Sequence, residues 1–336
     1  MTSLPLNKMA GRPRGRVELV NPARLMTVAE RCDEILNFSS LLPELETTEH
    51  CMQWLAVQSL LGNQCLCATC QMPASLVNYR QGMDGFQWSC RGCNFHQSIR
   101  ARSYFDHSHL HLCQIVILMY CWSYDMPQTV LMHEAEVGKK TVIDWCNFFH
   151  EECEAYIERH TGEVGGMDAA GQAIVVEIDE SKYFHRKFHR GQWHEGHWVF
   201  GGIERISGKC FLVEVPDRTA ATLTGEIIGH ILPGTHIVSD GWAAYANIDN
   251  IRNGIYTHSV VVHQQHFVDP LDADVHTQNV ENMWMRAKRK LKRQFGTSRA
   301  LFPSYLHEFM FRSSLRDLHG HIFGTFIAGI GESYPV

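Results

Sequence analysis

Three carboxylates are notable for where they fall in the chain. Asp179 closes an apolar run (VVEID), and Asp240 closes another (HIVSD) immediately before Gly241. Glu281 lies in the first turns of a long helix-patterned stretch, HTQNVENMWMRAKRKLKRQF. Carboxylate oxygens are hard ligands, suited to Mg²⁺ or Mn²⁺. Three of them brought together would hold two such ions about 3.5–4 Å apart. One ion would activate water or a 3′-hydroxyl, and the other would stabilise the leaving oxygen of an in-line displacement at phosphorus. Taken singly, an acid at a strand end or helix start is commonplace, so the chemistry depends on whether the three elements converge. Glu177 shares the strand parity of Asp179, whereas Glu180 points to the other face. Asn279 competes with Glu281, but a carboxylate is the harder ligand.

A second constellation is made of thiols. Cys67-Ala-Thr-Cys70 and Cys90-Arg-Gly-Cys93 are two C-x-x-C knuckles separated by a stretch with strand-like character (SLVNYR, FQWSC). Four thiolates at this spacing can close a tetrahedron around one structural Zn²⁺, the pattern of a zinc ribbon. Four buried or redox-active cysteines are the alternative. Cys65 adds a spare thiol to the first knuckle, with Cys67 and Cys70 the better pair. The remaining cysteines include Cys113, Cys121, Cys146 and Cys153, which lie in apolar or amphipathic stretches where thiols behave as small hydrophobes. Twelve cysteines in 336 residues therefore point to a reducing compartment rather than a disulfide scaffold.

The elements that must position these groups change character along the chain. Residues 1–25 form a basic arm of disordered composition. Residues 26–60 are helix-patterned (AERCDEILNFSSLL, TEHCMQWLAVQSLL), and 61–105 hold the paired cysteines. Residues 106–165 are helical again, with two periodic stretches broken at Val137-Gly138 as in a helix-turn-helix, followed by a glycine-rich linker. From 166 to 336 the pattern turns to strands and helices. AIVVEID, HWVFGGIE and KCFLVEV read as successive strands, then TAATLTGEIIGHI as a helix and THIVSD as a strand. GWAAYANI follows as a short helix, HSVVVH as a fifth strand and the long basic helix after it. The order β-β-β-α-β-α-β-α is that of a ribonuclease H-like α/β fold, a mixed sheet sandwiched by helices. In that fold the first and fourth strands are neighbours, which would set Asp179 and Asp240 side by side with Glu281 nearby.

A net charge of −6 argues against a protein that coats nucleic acid indiscriminately, but clustered cations can still bind DNA. Six of the eight residues in RAKRKLKR (286–293) are basic, too dense for an ordinary salt-bridged helix. Arg286, Lys288, Arg289 and Lys292 are candidate DNA contacts there. Lys288, seven residues after Glu281, shares its helix face and would aim at a phosphate near the metals. Lys139 and Lys140 open the second helix of the helix-turn-helix, and Arg14 and Arg16 lie in an AT-hook-like PRGR core of the arm. The histidine-rich stretch 182–197 and His263, His266 and His276 are further candidates for contacts at the site. Trp284 reads as core. Neither a signal-peptide core nor an apolar run of about 18 residues is present, so no membrane partner is expected.

The motifs VEIDESKYFHRKFHRGQWHEGHWVFGGIER, LVEVPDRTAATL, ILPGTHIVSDGWAAY, FVDP, HTQNVENMWMRAKRKLKR and SYLHEFMFR together resemble the Merlin superfamily of eukaryotic DNA transposons and its bacterial insertion-sequence relatives. The resemblance covers residues 170–315 closely and extends more loosely through the cysteine knuckles. It implies a DDE-type transposase that cuts terminal inverted repeats and joins the 3′ ends to target DNA, with Asp179, Asp240 and Glu281 at the acidic positions. It further implies double-stranded DNA as partner and a homodimer or higher assembly. The nucleus is the expected location in a eukaryotic host, the cytoplasm otherwise. A domesticated DNA-binding protein that keeps the fold without catalysis is the alternative.

Overall fold

The computed structural model describes residues 16–160, 162–184, 196–261, 276–293, 299–316 and 318–336. It divides into two compact units, one formed by residues 1–146 and 320–336, the other by residues 147–319.

In the first unit, residues 16–25 are not part of a disordered arm, since Arg16 bridges to Leu76, Leu19 and Val20 are buried and Pro22–Arg24 forms a 3₁₀ turn; α1 (Val28–Asp33), α2 (Phe38–Leu45) and α3 (Thr48–Val57) follow. The stretch AERCDEILNFSSLL forms two helices rather than one. A capping box at Thr27 with Glu30 starts α1, and a second at Asn37 with Ser40 starts α2. Next come the short antiparallel strands β1 (Ser75–Asn78), β2 (Phe86–Ser89) and β3 (His96–Ser98). A buried Arg100–Asp84 ion pair closes this module. Helices α4 (Leu112–Ser123) and α5 (Gln128–Glu134) follow, and a four-residue turn leads into α6 (Lys139–His160), within which the division between units falls.

The second unit is built on a five-stranded sheet. After a two-residue strand β4 (Val164–Gly165), the meander β5 (Val175–Tyr183), β6 (His197–Glu204) and β7 (Cys210–Val215) is antiparallel throughout. Helix α7 (Ala220–His230) and the two-residue β8 (Ile231–Leu232) lead to β9 (His236–Asp240). The stretch GWAAYANI forms 3₁₀ turns, and β10 (Thr257–Val261) completes the sheet. The strand order is β10-β9-β5-β6-β7, with β9 parallel to both β5 and β10. This mixed sheet has the ribonuclease H-like arrangement anticipated from the element order. Helices α8 (Gln278–Arg293) and α9 (Phe302–Ser314) follow. In α8, Val280, Met283, Trp284, Ala287 and Leu291 form one buried stripe at helical spacing.

The last helix, α10 (Ile322–Ser333), belongs to the first unit, although the strand-and-helix pattern of the sequence places it with residues 166–336. Its residues Ile322 to Ile330 are all buried. Gly324 lies so near α1 that a Cβ there would sit 2.3 Å from the Arg31 carbonyl oxygen. Only glycine permits that approach.

Candidate active site and cysteine cluster

On β5, residues 177, 179, 181 and 183 alternate onto the face that meets α8. Glu177, fully buried, accepts hydrogen bonds from the backbone N–H groups of Asn279 (2.8 Å) and Val280 (3.0 Å) at the start of α8. It also pairs with Arg205 Nε at 2.8 Å, and His276 Nδ1 lies 3.2 Å away. A carboxylate is favoured at this end of a helix, where unsatisfied N–H groups carry partial positive charge. Two residues along, Trp284 Nε1 donates to Asp179 Oδ2 at 3.0 Å. Two further, Lys288 Nζ donates to Ser181 Oγ and lies 5.2 Å from the centre of the Tyr183 ring. Strand residues two apart are thus matched to helix residues about one turn apart, and α8 runs along β5 with Glu281 a turn before Trp284.

Asp240 comes to Asp179 through strand register. Val175 pairs with His236, Val176 with Ile237 and Glu177 with Val238. Two residues further on each strand are Asp179 and Asp240. The pairing itself stops at Glu177 and Val238, so the two aspartates lie just past the end of the ladder, with the Asp240 charge felt at Asp179. Burial pushes the Asp179 carboxyl up to about 7, with the charges of Glu180 and Asp240 adding to the effect and hydrogen bonds from the Glu180 backbone and Trp284 opposing it. Asp240 itself accepts the Trp242 N–H at 3.0 Å. Two carboxylates so placed favour a shared cation, which removes their repulsion.

Glu281 is exposed, and Asp179, Asp240 and Glu281 do not have all their ligand atoms within 4.8 Å of one another. A two-ion centre does not demand that. Ions about 3.5–4 Å apart, with metal–oxygen bonds near 2.0–2.1 Å, allow outer ligands up to about 8 Å apart. By donor chemistry, carboxylate oxygens of this kind suit hard cations such as Mg²⁺ or Mn²⁺. Of the competing acids, Glu177 is occupied by α8 and Arg205. Glu180 lies on the opposite face, where it accepts from Arg218 and Tyr245.

Helical periodicity marks Trp284 as core, and nothing in the sequence marks Glu177 as the clamp on α8. Trp284 is buried, yet its indole N–H also orients Asp179. The room for its ring comes from Gly201, paired with Asp179 across β5 and β6, where a Cβ would sit 2.8 Å from the Trp284 ring. Gly201-Gly202 in the strand was the available signal, since glycine inside a strand marks close approach.

The basic candidates take different positions. Arg289 and Lys292 are exposed on α8, whereas Arg286 lies 5.9 Å over the Phe309 ring. Lys139 and Lys140 are exposed at the start of α6, and Arg16 pairs with Glu49 at 3.1 Å. Arg14, the PRGR core up to Gly15, most of the histidine-rich stretch, His263 and His266 fall outside the described residues.

Cys67, Cys70, Cys90 and Cys93 form the one group of three or more potential metal ligands, among the described residues, with all ligand atoms within 4.8 Å. Cys70 and Cys90 Sγ are 3.6 Å apart. Thiolates at about 2.3 Å from one tetrahedral Zn²⁺ would be separated by roughly 3.8 Å, so the cluster is compatible with a zinc ribbon. The two knuckles share one backbone design. In each, the first cysteine N–H donates to the carbonyl five residues on, Cys67 to Met72 and Cys90 to Phe95, both at 2.9 Å. The residue after each second cysteine, Gln71 and Asn94, has positive φ. Burial pushes the Cys67 thiol up, but the N–H groups of Cys70 and Thr69 and the thiols of Cys70 and Cys90 outweigh it and lower it to about 7. Cys65 lies outside the cluster.

Fold and site together describe a ribonuclease H-like domain with an aspartate on each of two adjacent parallel strands. Residues 171–314 match the ISXO2-like transposase domain family, and this match supports a DNA transposase function for that part of the chain. No curated protein matches the chain. Among solved structures, the catalytic core domain of BIV integrase is 13% identical with a TM-score of 0.28, covering 42% of this chain and 80% of that one. The HTLV-2 integrase catalytic core domain, in complex with magnesium, is 11% identical with a TM-score of 0.27, covering 41% and 83%. A chain of the simian T-cell lymphotropic virus intasome in complex with PP2A regulatory subunit B56 gamma is 11% identical with a TM-score of 0.28, covering 58% and 67%. Similarity this distant carries no inference about what this chain binds.

Proposed function

We propose that the protein is a DDE-type, cut-and-paste transposase of the Merlin superfamily or its bacterial insertion-sequence relatives. It binds terminal inverted repeats, cleaves the transposon ends and joins the 3′ ends to target DNA. The observation that carries this reading is the coincidence of the transposase-domain match at 171–314 with the segment whose adjacent parallel strands β5 and β9 carry Asp179 and Asp240. Asp179, Asp240 and Glu281 would hold two Mg²⁺ or Mn²⁺ ions, which supply activation of the attacking hydroxyl and stabilisation of the leaving oxygen. Glu177 and Trp284 are positioning residues. The first fastens the start of α8, and the second orients the Asp179 carboxylate.

The remaining features support DNA as partner. Arg289 and Lys292 project from α8 and serve phosphate contacts, with Lys288 and Arg286 nearer the sheet and α9. Lys139 and Lys140 lie at the positive end of α6, where two cations are disfavoured unless an anion joins them. Arg14 extends the contacts from the arm, and Arg16, paired with Glu49 on α3, adds to them where the arm joins the first unit. One structural Zn²⁺ on Cys67, Cys70, Cys90 and Cys93 braces the ribbon. A homodimer or higher assembly follows from the need to process two ends together. The working location is the nucleus in a eukaryotic host and the cytoplasm otherwise.

The test is a strand-transfer assay with Mg²⁺ or Mn²⁺ on the DNA ends that flank the native gene, comparing wild type with Asp240→Asn. Joined products from wild type alone are expected. Binding by both proteins without cleavage or joining in either metal would replace this reading with that of a domesticated DNA-binding protein.

A further inference from the structure

The sheet face opposite α8 carries an assembly that no part of the proposed catalytic chemistry uses. Trp198 on β6 pairs across the sheet with Lys182, whose Nζ lies 5.2 Å from the centre of its ring. Arg218, in the loop before α7, places its guanidinium carbon 4.0 Å over Trp198 and 4.7 Å over Trp242, while Nη1 donates to Glu180 at 2.9 Å. The loop is held by Asp217, which accepts from the Thr219 N–H and from the Thr219 and Thr222 hydroxyls. Behind it, buried Tyr245 donates to the other Glu180 oxygen. The result is a cation–π ladder, Lys182–Trp198–Arg218–Trp242, fixed to the sheet by a buried carboxylate.

Its outer member is not core. Trp242 is 41% exposed, although Arg218 lies against it. Its backbone N–H donates to Asp240, so the indole is tethered two residues from the acidic site. A single exposed apolar side chain needs no explanation, but one braced by a guanidinium and attached to a candidate catalytic carboxylate does. Flat indole and guanidinium surfaces are what nucleobases stack on. Within a duplex both faces of a base are covered by its neighbours. Only an unpaired, unstacked base can occupy the platform.

We propose that Trp242, braced by Arg218 and Trp198, is a stacking platform for an unpaired DNA base next to the scissile phosphate. This rests on the transposase reading for its substrate. It makes Trp242 a determinant of how a DNA end is distorted, separate from the phosphate contacts that set general affinity.

The experiment uses the full chain without added divalent cation. One probe is a blunt DNA duplex, and the other is the same duplex with a short single-stranded tail containing 2-aminopurine. Wild type should quench the 2-aminopurine on binding. Trp242→Ala should lose the quenching and bind the tailed DNA about 5- to 100-fold more weakly, while its binding to blunt duplex stays unchanged. Unchanged duplex binding also shows that the variant folds. Trp242→Phe, which keeps a ring, should retain most of both signals. Equal losses on both DNAs, no quenching by wild type, or a Phe variant as poor as the Ala variant would each overturn the platform. Trp242-dependent quenching by a wild type that joins no DNA would keep the platform and overturn the transposase reading; joining without such quenching would do the reverse.

Discussion

Glu177 and Asp179 are the same kind of group on the same face of one strand, and their surroundings give them different tasks. Glu177 is saturated by donors from α8 and Arg205, and Asp179 keeps one oxygen engaged by Trp284 beside a second aspartate. Removing the Glu177 carboxylate takes from half-buried Arg205 its ion-pair partner at 2.8 Å and frees the start of α8. Glu177→Ala should therefore destabilise the protein by about 3–5 kcal/mol, read from the urea midpoint, the cost of breaking a buried pair. Glu177→Gln, which keeps an oxygen for the helix N–H groups, should recover part of that stability yet join DNA more slowly. A Gln variant as active as wild type would deny Glu177 a positioning role. Gly201→Ala should cost about 1–3 kcal/mol by overpacking against Trp284 and reduce joining more than DNA binding. Equal reductions would show that the crowding is not transmitted to Asp179.

At the scale of elements, α8 is held at both ends by carboxylates. Glu177 fastens its start, and Glu308 on α9 fastens its second half through Lys290 at 2.6 Å. Glu308 also pairs with Arg312 at 2.8 Å and with His150 of α6 at 3.2 Å. Burial alone would push the Glu308 carboxyl up, but Lys290, Arg312 and His150 together hold it well below the ordinary glutamate value of 4.5. A depressed folded-state pKa means that the unfolded chain binds more protons at acid pH. The stabilisation is therefore complete above about pH 4.5 and is lost as pH falls below it. Glu308→Gln should be less stable at neutral pH and show a shallower loss of stability below pH 4.5, measured by urea unfolding across that range. An unchanged acid slope would place the dependence elsewhere. The same contact explains why Lys290 faces inward while Arg289 and Lys292 face out.

Across the whole molecule, the cysteine cluster belongs to one compact unit and the acidic residues to the other. Chelation of zinc should remove amide-exchange protection from β1–β3, whose short strands have little apolar surface of their own, and leave β5–β7 protected. Simultaneous loss from both sheets would show that the units do not fold independently. The first unit also claims α10 from the far end of the chain. Its uninterrupted buried run needed a partner, and Gly324 marks where α1 comes close.

What was legible from the residues alone was local or periodic. Two C-x-x-C spacings, strand runs ending in Asp179 and Asp240, and a helix beginning near Glu281 are each properties of neighbouring residues, so they survive without coordinates. The strand order followed from them because few arrangements bury such a set of elements. Contacts between residues far apart in sequence were decided only in three dimensions. The roles of Glu177 and Asp179 were separated by Arg205 and by an α8 backbone about a hundred residues away. One long helical pattern became α1 and α2 because Asn37 and Ser40 cap each other. Trp284 gained a polar task, and Trp242, Arg218 and Trp198 met, through sheet register and loop geometry. Periodicity shows which face of an element is buried; what meets that face depends on the path of the rest of the chain.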